Sequence, residues 1–214
     1  IREEIVEVCH RMWEREFISA ADGNVSVRIG SDRLLTTPSG VSKGFLKPED
    51  LIVTNMKGRK ILGTYEPTTE ICVHLAAYEE RPEIQSVVHA HPTTAIAFSI
   101  AGEEIPATAL PEVVVNLKRI PIVPYSTPGT QEAGDAIRPY IREFDAIMMD
   151  RHGSVTVGKD VFDAYYKLEK LEHAAQVIFT ARQLGRVQLL SDNQLQALFA
   201  HYHLTSSMSG IPYG

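Results

Sequence analysis

Cysteine is almost missing from this chain of 214 residues, with Cys9 and Cys72 the only two. Two thiols so far apart in sequence exclude a disulfide framework and point to a reducing cytoplasm. Both lie in segments of helical apolar spacing and are expected to be buried. Long apolar runs are also lacking: none approaches the roughly 18 residues of a membrane-spanning helix, and the N-terminus has no signal-peptide pattern. The chain opens on Ile1 rather than Met, so a few residues are expected to precede it. Positive charge is in deficit, 21 Lys and Arg against 27 Asp and Glu for a formal net charge of −6, and the basic residues are scattered. Neither nucleic acid nor an acidic membrane is then an expected partner, whereas a small polar ligand is. Repeats, low-complexity tracts and linker-like stretches are absent. At 44% hydrophobic residues the chain can fill a full core, and its length suits a single domain over 1–214.

The patterning mixes helix and strand. Ile5, Val8, Met12, Trp13 and Phe17 recur at helical spacing, predicting an amphipathic first helix to Phe17. "ADGNVSVRI" reads as a turn at Gly23 and Asn24 entering a strand, "DRLLTTPSG" as its hairpin partner, and "LIVTNMKGRKIL" as strand, turn and strand. Thr68 and Thr69 offer themselves as the N-cap of the helix "EICVHLAAYEERP", with Pro82 as its stop. The strand "SVVHAHP" follows, then a helix from Pro92, strands at "IPIVPY" and "AIMMDRHGSVTVG" with a helix from Thr130 between them, and a long helix over 160–184. The hairpins make much of the sheet antiparallel, and the expected architecture is α/β: one antiparallel-rich sheet with helices on both faces.

Chemistry concentrates in the histidines. Side chains alternate along a strand, so His89 and His91 share a face, about 7 Å apart at Cα. That separation lets two neutral imidazoles converge on one cation at about 2.1 Å, yet two rings in a buried strand can equally be structural groups with satisfied nitrogens. A competing pair, His201 and His203, lies in a helical pattern where residues two apart do not face each other, and reads as structural. His10 and His173 read the same way. His152 precedes a glycine inside a strand-like run, where glycine often marks close backbone approach, and is a candidate third ligand. Glu70 at the start of its helix is either an acid favoured by the helix dipole or a carboxylate beside the metal; with His74 four residues on, it could also form a metal couple. Three histidines and an open position would make a Lewis-acid zinc rather than a closed structural site.

Taken in order, "GNVSVR", "TTPSG", a Glu nineteen residues before "HAH", and "RHG" followed by a long helix resemble the class II, zinc-dependent sugar-phosphate aldolases, typified by L-fuculose-1-phosphate aldolase. The resemblance runs from Gly23 to Ala181. It implies a three-layer α/β/α sandwich around a largely antiparallel sheet, and a cyclic homotetramer. It places zinc on His89, His91 and His152, with cobalt or manganese as possible substitutes, and gives Glu70 the roles of resting-metal ligand and proton shuttle. Substrate phosphate maps onto Gly23 and Asn24, Ser39 and Gly40, and Thr68 and Thr69. The implied reaction cleaves a ketose 1-phosphate, such as fuculose 1-phosphate or a 5-deoxy or methylthio pentulose 1-phosphate, to dihydroxyacetone phosphate and an aldehyde through a zinc-stabilised enediolate. His74 is left as structural.

One departure from that family concerns the aldehyde. A tyrosine of fuculose-phosphate aldolases falls here on Leu110, and Tyr213 in the tail is one candidate substitute. Glu112 is either a second acid or base, or a solvated loop charge. The superfamily also holds 4-epimerases, which carry Asp where Glu70 stands, and methylthioribulose-1-phosphate dehydratases, for which Glu112 is the residue to watch. The non-enzymatic adducin head shares the fold without the metal ligands, and retention of all of them here argues against it.

Overall fold

The structure, a computed structural model, describes residues 1–204, so Tyr213 lies outside the described residues. Among these residues, eight strands form one sheet in the order β4-β3-β2-β1-β5-β8-β7-β6. They are β1 (Asn24–Arg28), β2 (Arg33–Thr36), β3 (Ile52–Asn55), β4 (Lys60–Leu62), β5 (Ser86–Ala90), β6 (Ile122–Val123), β7 (Ala146–Met149) and β8 (Gly153–Gly158). Every pairing is antiparallel except that of β6 with β7. Short turns join the antiparallel pairs β1–β2, β3–β4 and β7–β8, while β6 reaches β7 through a helical crossover and runs parallel to it.

Helices cover both faces, giving the three-layer α/β/α arrangement. On one side α1 (Arg2–Glu14) and the first half of α6 (Val161–Leu184) pack Ile5, Val8, Met12, Ala164, Tyr165 and Leu168 against Val25, Val27, Val88 and Ala90. On the other, α2 (Ile71–Glu80) and α5 (Gln131–Ile141) pack Val73, Ala77, Ala133 and Ile137 against Leu34, Val87, Val155 and Val157. The remaining helices are α3 (Thr93–Ile100), α4 (Pro111–Asn116) and α7 (Asp192–His201), and a third cluster joins α3 and α4 to the second half of α6. Alternation along each strand sends odd and even residues to opposite layers. In α6, Glu172 is 3% exposed and accepts the amides of Thr94 and Ala95 at 3.1 and 2.9 Å. A carboxylate there satisfies the first turn of α3 and its dipole, fixing the chain just after His91.

Several expectations shift. The first helix stops at Glu14, three residues early. "IPIVPY" yields only the two-residue β6, and "AIMMDRHGSVTVG" divides into β7 and β8 around a turn. "PEVVVN" forms α4, which the sequence pattern had left as loop. Cys9 is buried, but Cys72 is only half-buried, its thiol donating to the Thr130 carbonyl at 3.0 Å. The cap of α2 is Glu70, not Thr68 or Thr69; the Thr68 hydroxyl, three residues before the helix begins, accepts the Glu70 amide at 3.3 Å.

Candidate metal centre

Three segments deliver four groups to a single point. His89 is the penultimate residue of β5, paired with Asn24 on one side and Val155 on the other, so its ring is locked in the middle of the sheet and 1% exposed. His91 sits one residue past the strand, its amide held by the Phe17 carbonyl at 2.8 Å. His152 lies in the β7–β8 turn, after Arg151 in a left-handed conformation at φ 58°. Glu70 sits at the N-terminus of α2, where its carboxylate makes no capping hydrogen bond and is therefore free to face the rings.

Gly153 is what lets the rings close. A Cβ there would stand 2.4 Å from the Ala90 carbonyl oxygen, 2.7 Å from the His91 ring and 3.0 Å from the His89 ring, so the glycine after His152 marks a close approach, as its place in the sequence predicts. Gly23 does the same at the start of β1: at φ +69° a Cβ would meet Ile18 at 2.5 Å and the His89 carbonyl at 3.0 Å.

The three ring centroids are 4.8, 4.9 and 5.0 Å apart, and one ligand atom from each of Glu70, His89, His91 and His152 lies within 4.8 Å of the others. His89 Nδ1 is 3.0 Å from the Ser154 carbonyl. Only an N–H can bond a carbonyl, so the proton is on Nδ1 and Nε2 presents its lone pair to the centre. His91 Nε2 points at that same atom from 3.0 Å. Glu70 Oε1 is 2.9 Å from His152 Nε2 but is not aligned as a hydrogen bond and has no other partner, and His152 Nδ1 is likewise unpartnered. Converging lone pairs beside an orphaned buried carboxylate oxygen are the pattern a divalent cation resolves, and the residues present fit one.

Electrostatics agree. Burial pulls the Glu70 carboxyl upward, but the facing imidazoles of His89 and His152 outweigh it and hold Glu70 well below the usual carboxylate range. His91 is pushed down to about 4, first by burial and then by the neighbouring rings of His89 and His152. A ring that resists protonation stays available as a ligand at neutral pH.

Of the residues expected to bind phosphate, Gly23 lies against the His89 carbonyl, Asn24 bonds Glu70, and Thr68 and Thr69 immediately precede Glu70. Pro38 and Pro67 form an isolated antiparallel bridge, and the Ser39 amide donates to the Glu66 carbonyl at 2.9 Å. Lys43, 1% exposed, donates to the Ala21 and Val41 carbonyls at 2.7 and 3.0 Å, tying the Gly23 turn to the Gly40 loop. Burial lowers its pKa, and its ammonium has two carbonyls rather than a carboxylate for partners. Sequence reading missed Lys43, and a lone lysine after "PSGVS" carried no signal for it. The Asn24 side chain, expected at the phosphate, donates to Glu70 Oε2 at 3.0 Å. His74 is not a metal couple for Glu70; it is fully buried and bonded to Ser26 and Asn24. His10 bonds the Leu46 carbonyl, and His201 and His203 are exposed at the end of α7. Glu112 is exposed in the first turn of α4, as a solvated charge would be.

A four-group cluster of this kind, on a largely antiparallel sheet between two helical layers, is a site able to hold a divalent metal ion. Residues 3–179 match the model of the class II aldolase and adducin N-terminal domain family, and the chain belongs to that family. It is 34% identical over 181 residues to an L-fuculose phosphate aldolase of Methanococcus maripaludis, covering 85% of this chain and 97% of that one. With a 3-oxo-tetronate 4-phosphate decarboxylase of Haemophilus influenzae it shares 32% over 201 residues, 92% and 95% of the two chains. The fold matches that of a solved L-fuculose 1-phosphate aldolase with a TM-score of 0.86 at 24% identity, over 95% and 96% of the two chains. These relationships make the chain an enzyme of the class II aldolase group.

Proposed function

We propose that this chain is a zinc-dependent aldolase that cleaves a ketose 1-phosphate, of the fuculose 1-phosphate or 5-deoxypentulose 1-phosphate type, into dihydroxyacetone phosphate and an aldehyde. The observation that carries the reading is the convergence of Glu70, His89, His91 and His152 within 4.8 Å in a chain of the class II aldolase family. Three imidazoles and a carboxylate suit zinc and also accept cobalt or manganese. A divalent ion there supplies Lewis acidity to the substrate's carbonyl and hydroxyl oxygens as the C3–C4 bond breaks.

The chain's own groups do the rest. Glu70, its Oε1 facing the rings, returns a proton to the carbon left by cleavage or removes it in the synthetic direction. Gly23, Ser39, Gly40, Thr68 and Thr69 receive the phosphate on turn amides and hydroxyls, with the buried charge of Lys43 behind them. Asn24, whose side chain holds Glu70, sits at the seam between phosphate and metal. One domain over 1–214, assembly as a cyclic homotetramer and a cytoplasmic location complete the proposal; among the described residues no helix is long and apolar enough to cross a membrane.

The test is the half-reaction. Zinc-loaded protein incubated with dihydroxyacetone phosphate in D₂O exchanges a C3 proton, read by NMR, and exchange disappears with a chelator and with Glu70→Gln. Bound metal without exchange overturns the aldolase reading. The second reading is release of carbon dioxide from a phosphorylated 3-oxo acid, favoured by the Haemophilus influenzae relative and its 92% coverage of this chain. Carbon dioxide evolved from 3-oxo-tetronate 4-phosphate, with no exchange on dihydroxyacetone phosphate, selects it.

A further inference from the structure

A chain of buried polar groups runs from Glu70 into the layer between α2 and β1. Glu70 Oε2 accepts Asn24 Nδ2–H at 3.0 Å. Asn24 Oδ1 meets His74 Nε2 at 2.5 Å, His74 Nδ1 meets Ser26 Oγ at 2.6 Å, and Ser26 Oγ lies 3.0 Å from Tyr78 Oη. The Tyr78 hydroxyl also donates to the Ser26 carbonyl at 2.9 Å. Asn24, Ser26, His74 and Tyr78 are all 3% exposed or less.

Charge on Glu70 dictates the direction of every proton in this chain. An ionised carboxylate only accepts, so the Asn24 NH₂ must face it and Oδ1 must face His74. Oδ1 only accepts, so the proton of His74 is on Nε2. Nδ1 is then a lone pair and takes the Ser26 hydroxyl proton, and the single Tyr78 O–H proton is shared between the Ser26 hydroxyl oxygen and carbonyl. Burial keeps the ring neutral, its pKa pushed down to about 3. His74 therefore carries the opposite tautomer to His89, whose proton is on Nδ1 against Ser154. The two Glu70 oxygens also differ: Oε2 is tethered by Asn24, while Oε1 has no hydrogen-bond partner.

We propose that His74 is a positioning residue for Glu70: its Nε2–H fixes the Asn24 amide, which pins Oε2 and leaves Oε1 as the oxygen that meets the metal and carries the proton. The inference rests on the reading of Glu70 as metal ligand and proton carrier. A histidine that merely filled the core could hold either tautomer and would leave the metal untouched.

The test uses two readouts on the full chain. In ¹⁵N-histidine NMR spectra of the wild-type protein at neutral pH, the His74 signals, assigned by their loss in His74→Gln, show the Nε2–H tautomer; the Nδ1–H tautomer overturns the proposal. In competition with a chromophoric chelator, His74→Met lowers zinc affinity about 10- to 100-fold, the range typical of losing a group that orients a metal ligand. His74→Gln, whose side-chain N–H reaches for the same acceptor, recovers most of it. Wild-type affinity in His74→Met, or equal loss in both variants, overturns the proposal. If His74→Met does not fold, the tautomer alone decides. Failure of the underlying reading has a different signature: the wild type binds no zinc, or Glu70→Gln leaves the affinity unchanged.

Discussion

Strand β5 carries two kinds of interior back to back. Val88 and Ala90 face α1 and α6 in a layer built almost wholly from apolar side chains. Val87 and His89 face α2, where the same depth of burial holds Asn24, Ser26, His74, His89 and Tyr78. A buried polar group costs free energy unless it is bonded, so the apolar layer can be held by shape alone while the α2 layer has to be held by connected partners. The first layer stabilises the sheet. The second also packs Val73, Ala77, Ile137 and Val155, and its polar members place Glu70 and three rings.

The comparison can be broken at graded points. Leu168 is fully buried in the apolar layer, and Leu168→Ala should cost about 2–5 kcal/mol of stability, read by denaturant unfolding, with metal stoichiometry unchanged. Loss of metal binding there would mean the two layers are not separable. Gly153→Ala acts on the other layer: its Cβ has nowhere to go between the Ala90 carbonyl and two rings. A cost of about 1–3 kcal/mol is expected, together with weakened zinc affinity in a chelator competition.

Acid should act on the α2 layer as well. His74 has its pKa lowered from 6.5 to about 3 in the folded chain, so above pH 6.5 both states are neutral and the contribution is fully present. As pH falls, the unfolded chain takes a proton that the folded chain refuses, and stability is lost progressively toward pH 3. By pH 5 the metal-free protein should have lost about 2 kcal/mol from this group alone, and His74→Gln should flatten the slope of unfolding free energy against pH. The smallest effect belongs to Glu112→Ala on exposed α4, within about 0.5 kcal/mol of wild-type stability and with unchanged turnover.

How much of this was legible in the sequence differs between the same two layers. Apolar spacing located α1, α6 and the strands, because burial on one face imposes a period on the chain. The period of two also put His89 and His91 on one side, and the glycine after His152 signalled the close approach that Gly153 makes. What decided between a metal clamp and structural rings was the ordered resemblance to a family. The relay from Tyr78 to Glu70 was not legible, because it joins α2 to β1 across 46 to 52 positions of sequence, and such pairings leave no local pattern. Spacing did flag Glu70 and His74 as neighbours on a helix, yet it could not say that Asn24 stands between them. The cap of α2 was misplaced for a related reason: Thr68 and Thr69 have the right chemistry, but the chain uses that turn to aim Glu70 instead of starting the helix earlier.

The central claim is that four groups from separated segments hold one divalent ion. Titration of metal-free protein with Co²⁺, followed by its visible absorption, tests it most directly. Saturation is expected at one ion per chain with a low-symmetry nitrogen and oxygen spectrum, displaced by zinc and abolished in His91→Ala. No binding, or binding that His91→Ala leaves intact, would contradict it.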